Sequence, residues 1–426
     1  MTLSQRLRAF IGKSSLMKDA KDIFLLRSCA LLLLLAGNVI IARVLGPEHK
    51  GIIDLFTLIT GLIAEIGMFG ISNGLLYHLT NKGRPLKEIH GTGLVYSLWA
   101  GLAALGVGYL TLSFWQKVFP GLEDWILLLA FAVSPLTFYK LIWENIMTGI
   151  NRAVDFHRLS LYFSATNLAV VIFLWSINIL TSTHVIIWAL ILLLFSSVIS
   201  FWTLNSQAKG FTPNLKLGKD SLKYGIVIYA GVLANLLHFK IDQTMIAYWL
   251  GTGAVGIYTV SVRWAEMLFF LDQALISAAF YKIASSSSSK SYKITNIVFK
   301  TQLKISLISG AALALLAYPL ILGLYGTLFK GSILPLIILI PGIIAWSTSK
   351  VVSNMLTYNL GMASFLAQAS FVGCFLNILL NYIFIKLADQ GISGAAMASS
   401  LSYSLVAISI FIKARKTKDL PNITPT

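Results

Sequence analysis

Apolar stretches longer than the roughly 18 residues needed to cross about 30 Å of hydrocarbon follow one another along the chain, separated by short polar or glycine-bearing segments. None alternates as a strand does, so the pattern predicts a helical bundle rather than a barrel. Twelve transmembrane helices are expected, with cores at 24–45, 52–77, 92–114, 125–147, 159–180 and 184–204, then 224–250, 255–279, 298–324, 333–356, 365–387 and 392–412. The polar stretch 205–223, with Gly210, Pro213 and Gly218, reads as a linker between two halves. The expected organisation is a segment 1–23, a six-helix bundle 24–204, the linker 205–223, a second bundle 224–412 and a tail 413–426. Leu3, Leu7, Phe10, Ile11 and Met17 among basic residues suggest a short amphipathic helix before the first span, or a disordered tail.

The two halves carry an internal repeat. IARVLGPEHKGII at 41–53 returns 205 positions later as IAYWLGTGAVGIY at 246–258, with six of thirteen positions identical. Shared glycines weigh most: Gly46 and Gly251 each close an apolar run, and Gly51 and Gly256 each precede the next, so each copy reads as a tight helical hairpin. A weaker echo pairs Gly149 and Asn167 with Gly361 and Asn377.

Composition agrees: 57% of residues are hydrophobic, 12% are charged and the mean hydropathy is +0.80. The net charge of +17 suits nucleic acid at first sight, but the basic residues follow loop parity. One side collects 24 lysines and arginines, and the opposite loops hold Lys50, Lys117, Lys330 and Lys386. That bias predicts a multi-pass protein of the cytoplasmic (inner) membrane with both termini cytoplasmic, membrane lipids as neighbours and no nucleic-acid partner. Cys29 and Cys374 fall inside spans and suggest neither a disulfide nor a metal site. The first span is too long for a signal-peptide core and is expected to be retained. Outer loops are short, the longest running from Trp115 to Asp124, which leaves no room for a catalytic domain. No phosphate-cradling glycine loop, zinc spacing or nucleophile elbow is present, so no enzyme activity, cofactor or metal is expected.

ARVLGPEHKGI with AEIGMFGIS in the first hairpin, IDQTMIAYWLGTGAVGIYTVSVRWAEML in the seventh and eighth spans, YPLILGLYG around Pro319, the LGM turn at Gly361, and NILLNYIFI leading to GISGAAMASSLSY occur in this order. Together they resemble the oligosaccharide-lipid flippases of the multidrug/oligosaccharidyl-lipid/polysaccharide (MOP) exporter superfamily, the group of O-antigen and capsule-unit translocases. The resemblance implies an all-α, MATE-like fold of about twelve helices, in two six-helix bundles related by a pseudo-twofold axis along the membrane normal. It implies a cavity that opens alternately to either side. The expected function is translocation of a polyprenyl-diphosphate-linked oligosaccharide to the outer leaflet for surface polysaccharide assembly, possible partners being other polysaccharide-assembly membrane proteins. A cation-coupled multidrug extruder of the same superfamily is the rival reading, and a polysaccharide polymerase or ligase a more distant one.

Ionisable side chains inside spans cost at least about 2.5 kcal/mol on insertion scales, so those present are the candidates for chemistry. Lys140, Lys240, Arg263 and Lys350 are candidates for substrate binding, and Glu65, Asp242, Glu266 and Asp272 for ion coupling. Glu144, four residues after Lys140, is its expected local charge partner. Arg263 is suited to grip a diphosphate bidentately, or to pair structurally with Glu266 three residues on. His238 and Asp242 share a helix face, whereas Lys240 lies about 200 degrees away.

Overall fold

The computed structural model describes the backbone of residues 3–417, and the side chains of that stretch from residue 21 onward except 227–228, 270–274, 277–278, 281–282 and 284–285. Asp272 and the side chains of the expected amphipathic segment therefore lie outside the described residues. The chain runs through α1 (Leu3–Gly67), α2 (Ile71–Thr80), α3 (Leu86–Leu110), α4 (Leu112–Val118), α5 (Asp124–Ala132), α6 (Ser134–Gly149) and α7 (Ala153–Ser176). It continues through α8 (Ser182–Ala208), α9 (Leu215–Leu250), α10 (Thr252–Ser285), α11 (Ser288–Tyr325), α12 (Ile333–Asn354), α13 (Ala363–Asn381) and α14 (Gly391–Thr417). No strand occurs among the described residues.

Nine helices, or ten with the bent pair Leu215–Ile226 and Tyr229–Leu250, are long and apolar enough to cross a membrane among the described residues. The 47-residue run Lys21–Gly67 holds the first predicted span and most of the second, and α10 supplies the eighth. The break inside α1 falls at Gly46 (φ 74, ψ 177), with Pro47 starting the helix that follows. Its repeat partner Gly251 adopts nearly the same left-handed, extended-ψ conformation (φ 84, ψ 179). A side chain would strain either site, which is why both copies of the hairpin turn on glycine.

Two compact units form. The first comprises Met1–Leu45, Ile59–Leu110 and Leu128–Ile228, and the second Gly46–Leu58, Thr111–Leu127 and Tyr229–Thr426. In the first unit an apolar core gathers Ala64, Ile71, Leu75, Ile89, Phe138 and Trp143 from α1, α2, α3 and α6. Small residues let backbones meet, as membrane helix packing favours: Gly70 lies against the backbone of Gly225, and Gly74 against that of Ser221. The linker is pinned to α3 by Thr212 N–H on Lys87 O (2.9 Å) and Asn214 Nδ2 on Glu88 Oε2 (3.0 Å). Asn214 then caps α9, its side-chain oxygen accepting from Leu217 N–H at 3.0 Å.

In the second unit α14 packs its small residues Gly394, Ala395, Ala398 and Ser399 inward and lies against α12. Gly342 of α12 abuts the backbone of Ser400 and donates its N–H to Ser400 Oγ at 3.0 Å. Segment 46–58 of the first sequence half belongs wholly to this unit. Gly51 touches the Thr252 carbonyl and Gly256, and Gly256 in turn touches the Pro47 carbonyl. The two copies of the repeat thus cross face to face, at the glycines they share.

Candidate functional site

Two polar clusters are built inside the second unit. The first lies at the repeat crossing. Lys50 is fully buried and Asp54 nearly so, and they form an ion pair one turn apart on the same helix. Arg263 of α10 donates from Nη2 to Asp54 Oδ1 at 3.0 Å, and the Thr259 hydroxyl donates to Asp54 Oδ2. Asp54 and Thr259 occupy equivalent positions 205 apart in the repeat. The Thr252 hydroxyl meets Glu48 close by. Two cations therefore face one carboxylate, and the Arg263 side chain remains 36% exposed.

The second cluster joins α9, α10, α13 and α14. Asp242, 2% exposed, accepts from the Tyr258 hydroxyl at 2.6 Å, Ser399 Oγ at 3.0 Å and Gln243 N–H at 2.7 Å. Asn377 Nδ2 reaches Ser399 Oγ (3.3 Å) and Ser402 Oγ (3.0 Å), and His238 Nε2 bonds Ser402 Oγ at 2.9 Å. Asn381 donates to the Asn377 side-chain oxygen at 2.6 Å. The Asn381 Oδ1 and His238 Nδ1 atoms are buried without a hydrogen-bond partner. Buried polar groups are normally satisfied, so these two are conspicuous. No basic side chain lies within ion-pair distance of Asp242 among the described residues.

The other sequence candidates are placed separately. Lys240 points away from His238 and Asp242, as the helical spacing requires, and reaches Glu266 at 3.4 Å with both side chains about one-third exposed. The alternative pairing of Arg263 with Glu266 is therefore not made: Asp54 takes Arg263 and Lys240 takes Glu266. Lys350 holds its ammonium 4.5 Å from the centre of the Trp346 ring, a cation–π contact. Trp346 also receives the edge of the His238 ring at 5.3 Å.

In the first unit Glu65 on α1 and Lys140 and Glu144 on α6 are half-buried, and no ion pair joins Lys140 to Glu144 among the described residues. No group of three His, Cys, Asp or Glu side chains suited to a metal ion occurs among the described residues.

Asp54 and Tyr258 escaped the sequence reading, and Lys50 was assigned to an outer loop. The helix restarts at Pro47, which carries Lys50 into a helical turn packed in the unit's interior. The signal for Asp54 was present: the register of the repeat sets it opposite Thr259.

Solved structures share the fold. An inward-facing multidrug-resistance MATE family transporter of the MOP superfamily superposes with a TM-score of 0.70 at 16% identity, over 91% of this chain and 94% of that one. The lipid II flippase MurJ in an inward closed conformation gives 0.71 at 16% identity, over 92% and 87%. A MOP superfamily transporter from Pyrococcus furiosus, described as having a binding pocket of reverse polarity, gives 0.65 at 16%, over 94% of each chain. At such identities the likeness establishes the fold. No curated protein sequence matches the chain. Residues 40–334, well over half of the length, match the family described as polysaccharide biosynthesis protein (Polysacc_synt_3), and the chain is a member of that family.

Proposed function

We propose that the protein is a flippase that moves a polyprenyl-diphosphate-linked oligosaccharide from the cytoplasmic to the outer leaflet of the inner membrane, for surface polysaccharide assembly. The observation that carries this reading is membership of a polysaccharide biosynthesis family by a chain whose fold is that of transporters. The chemistry is transport without bond breaking: diphosphate and sugars need a polar environment, while the lipid tail stays in hydrocarbon. Cations in the spans suit an anionic headgroup, with Lys140 in the first unit and Arg263, Lys240 and Lys350 in the second. Arg263 is the strongest of these, because its side chain is partly exposed and a guanidinium is geometrically matched to a diphosphate.

The Asp242 cluster is the favoured coupling site. A buried carboxylate with no ion-pair partner among the described residues, linked through Ser399 and Asn377 to Asn381, whose amide oxygen lacks a hydrogen-bond partner, suits a proton or a sodium ion as its counter-charge. Glu65, Glu266 and Asp272 are the further coupling candidates. Both termini are assigned to the cytoplasm on the loop-charge bias.

A multidrug extruder shares this fold. It would bind amphipathic cations, for which the lysines and arginine of the spans are poorly suited. The deciding experiment is lipid extraction from cells lacking the gene. Accumulation of a lipid-linked oligosaccharide with its sugars facing the cytoplasm, reversed by re-expression, is expected. Unchanged lipid-linked sugars with build-up of cationic drugs would replace this reading by the extruder.

A further inference from the structure

We propose that Asp54 is an internal stand-in for the substrate's diphosphate, holding Arg263 when the protein is empty and surrendering it when an anion arrives, so that loading unlocks segment 46–58 from α10. The proposal rests on the flippase reading for the identity of the anion, and on four observations for its mechanics.

First, two cations share one carboxylate: Lys50 and Arg263 both pair with Asp54, while Glu48 makes no ion pair among the described residues and meets the Thr252 hydroxyl instead. Second, the two cations are unequal. Lys50 is sealed in, whereas the Arg263 side chain is 36% exposed and gives Asp54 a single contact, at 3.0 Å from Nη2. An incoming anion therefore reaches Arg263 and not Lys50.

Third, the loss would be tolerable to the helix that bears Asp54. Lys50 stays one turn away and already pairs with it, so departure of Arg263 leaves a neutral, internally compensated pair rather than an orphaned buried charge. Fourth, Asp54–Arg263 is the ion pair that crosses from segment 46–58 to α10 among the described residues; the other polar ties, Thr259 to Asp54 and Thr252 to Glu48, are hydroxyl contacts. A diphosphate offers two oxygens to the guanidinium fork and outcompetes a carboxylate that holds it by one nitrogen. With that link gone, no ion pair ties segment 46–58 to α10 among the described residues, and the glycine crossing of 51 and 256 keeps its packing and hydroxyl contacts. The ligand acts on the equilibrium only through its preference for the unlocked form, which is here the freeing of Arg263.

The test uses the full chain in lipid nanodiscs, with Cys29 and Cys374 replaced by alanine and spin labels at H49C and L328C, two exposed positions of the second unit. The probes are inorganic pyrophosphate and, separately, a sugar-free polyprenyl diphosphate. Saturating pyrophosphate is expected to raise the population of the longer label distance by about tenfold, within the usual range of site-to-site coupling. R263Q should abolish that response. D54N should show the longer distance without ligand and bind pyrophosphate several-fold more tightly. Should D54N fail to fold, T259V replaces it: it keeps both charges and should favour the longer distance, and because the ligand prefers that form it should also bind pyrophosphate more tightly.

An unmoved distance in the parent protein at saturating pyrophosphate, or unchanged or weaker pyrophosphate binding by D54N, overturns the proposal. A response to polyprenyl diphosphate and not to pyrophosphate would assign the unlocking to the lipid tail and overturn it equally. The probes carry no sugar, so the outcomes separate. Pyrophosphate-driven release in a protein whose loss leaves lipid-linked sugars unchanged would defeat the flippase reading and leave the lock standing.

Discussion

Replacing Asp54 by alanine is expected to be among the most destabilising single changes in the chain. The carboxylate is 3% exposed and takes contacts from Lys50, Arg263 and Thr259. Removing it leaves the Lys50 ammonium, fully buried, with no counter-charge. Breaking a buried pair in this way costs about 3–5 kcal/mol, because the surviving ion loses its compensation. The same reasoning fixes an order among the variants. Lys50→Met removes a desolvated cation and leaves Asp54 with Arg263 and Thr259, so it should cost less. Arg263→Met removes a partner that is over one-third exposed, and the screened pair is worth about 1 kcal/mol or less. The double variant K50M/D54L substitutes apolar bulk for the whole helical pair and should recover most of the loss, since apolar replacement of a buried ion pair is often neutral or stabilising. Reversible unfolding in mixed micelles, followed by circular dichroism, measures these four and the single variant Asp54→Leu. The argument fails if Asp54→Ala costs under about 1 kcal/mol, or if the effects of Asp54→Leu and Lys50→Met simply add.

Three further outcomes are expected. Gly256→Val places a branched side chain against the Pro47 carbonyl and Gly51; overpacking of this kind costs about 1–3 kcal/mol, visible as a lower melting temperature in a detergent thermal-shift assay. Tyr258→Phe removes one of three hydrogen bonds to the buried Asp242 carboxylate, and should cost about 1.5–3 kcal/mol in stability while altering the dependence of transport on the ion gradient in proteoliposomes. Neutralising Lys140 and Arg263 together, as K140M/R263Q, should abolish restoration of surface polysaccharide in cells lacking the gene, scored beside a western blot for membrane insertion; full restoration would remove both residues from diphosphate recognition.

The spans were legible because hydrocarbon demands long apolar runs whatever else a sequence encodes. The hairpin turns were legible for a different reason. Gly46 and Gly251 adopt a left-handed φ that excludes most other residues, so the glycines were visible in both copies. Helical spacing also separated Lys240 from the face shared by His238 and Asp242, as the contacts to Glu266 and Ser402 bear out. The partner of Arg263 was not legible from spacing along one helix. Glu266 lies three residues away and Asp54 209 residues away, yet the distant acid makes the bond, since it crosses from a helix packed against α10. Lys50 was misplaced by its surroundings in sequence: a proline and a glycine flank it as they would flank a loop, whereas here they start a helix and permit a backbone crossing. Asn377 is visible in the sequence as one member of a weak internal echo; its bonds to Ser399 and Ser402 depend on α14 packing against α13, which no local pattern reveals.

The crossing of the two repeat copies also holds a contact that exact symmetry would forbid. Asp54 meets Thr259, its own counterpart in the second copy. In a pair of identical chains related by a twofold axis, whatever stands at that position faces itself, so an aspartate would oppose an aspartate and a threonine a threonine. Two carboxylates at hydrogen-bond distance inside a membrane protein repel, and two hydroxyls offer no charge to hold an arginine. An acid on one side and a hydroxyl on the other is a combination open only to copies encoded separately within one chain. Within one chain each member of the contact can change alone, and a buried, one-sided electrostatic contact is something that this freedom permits.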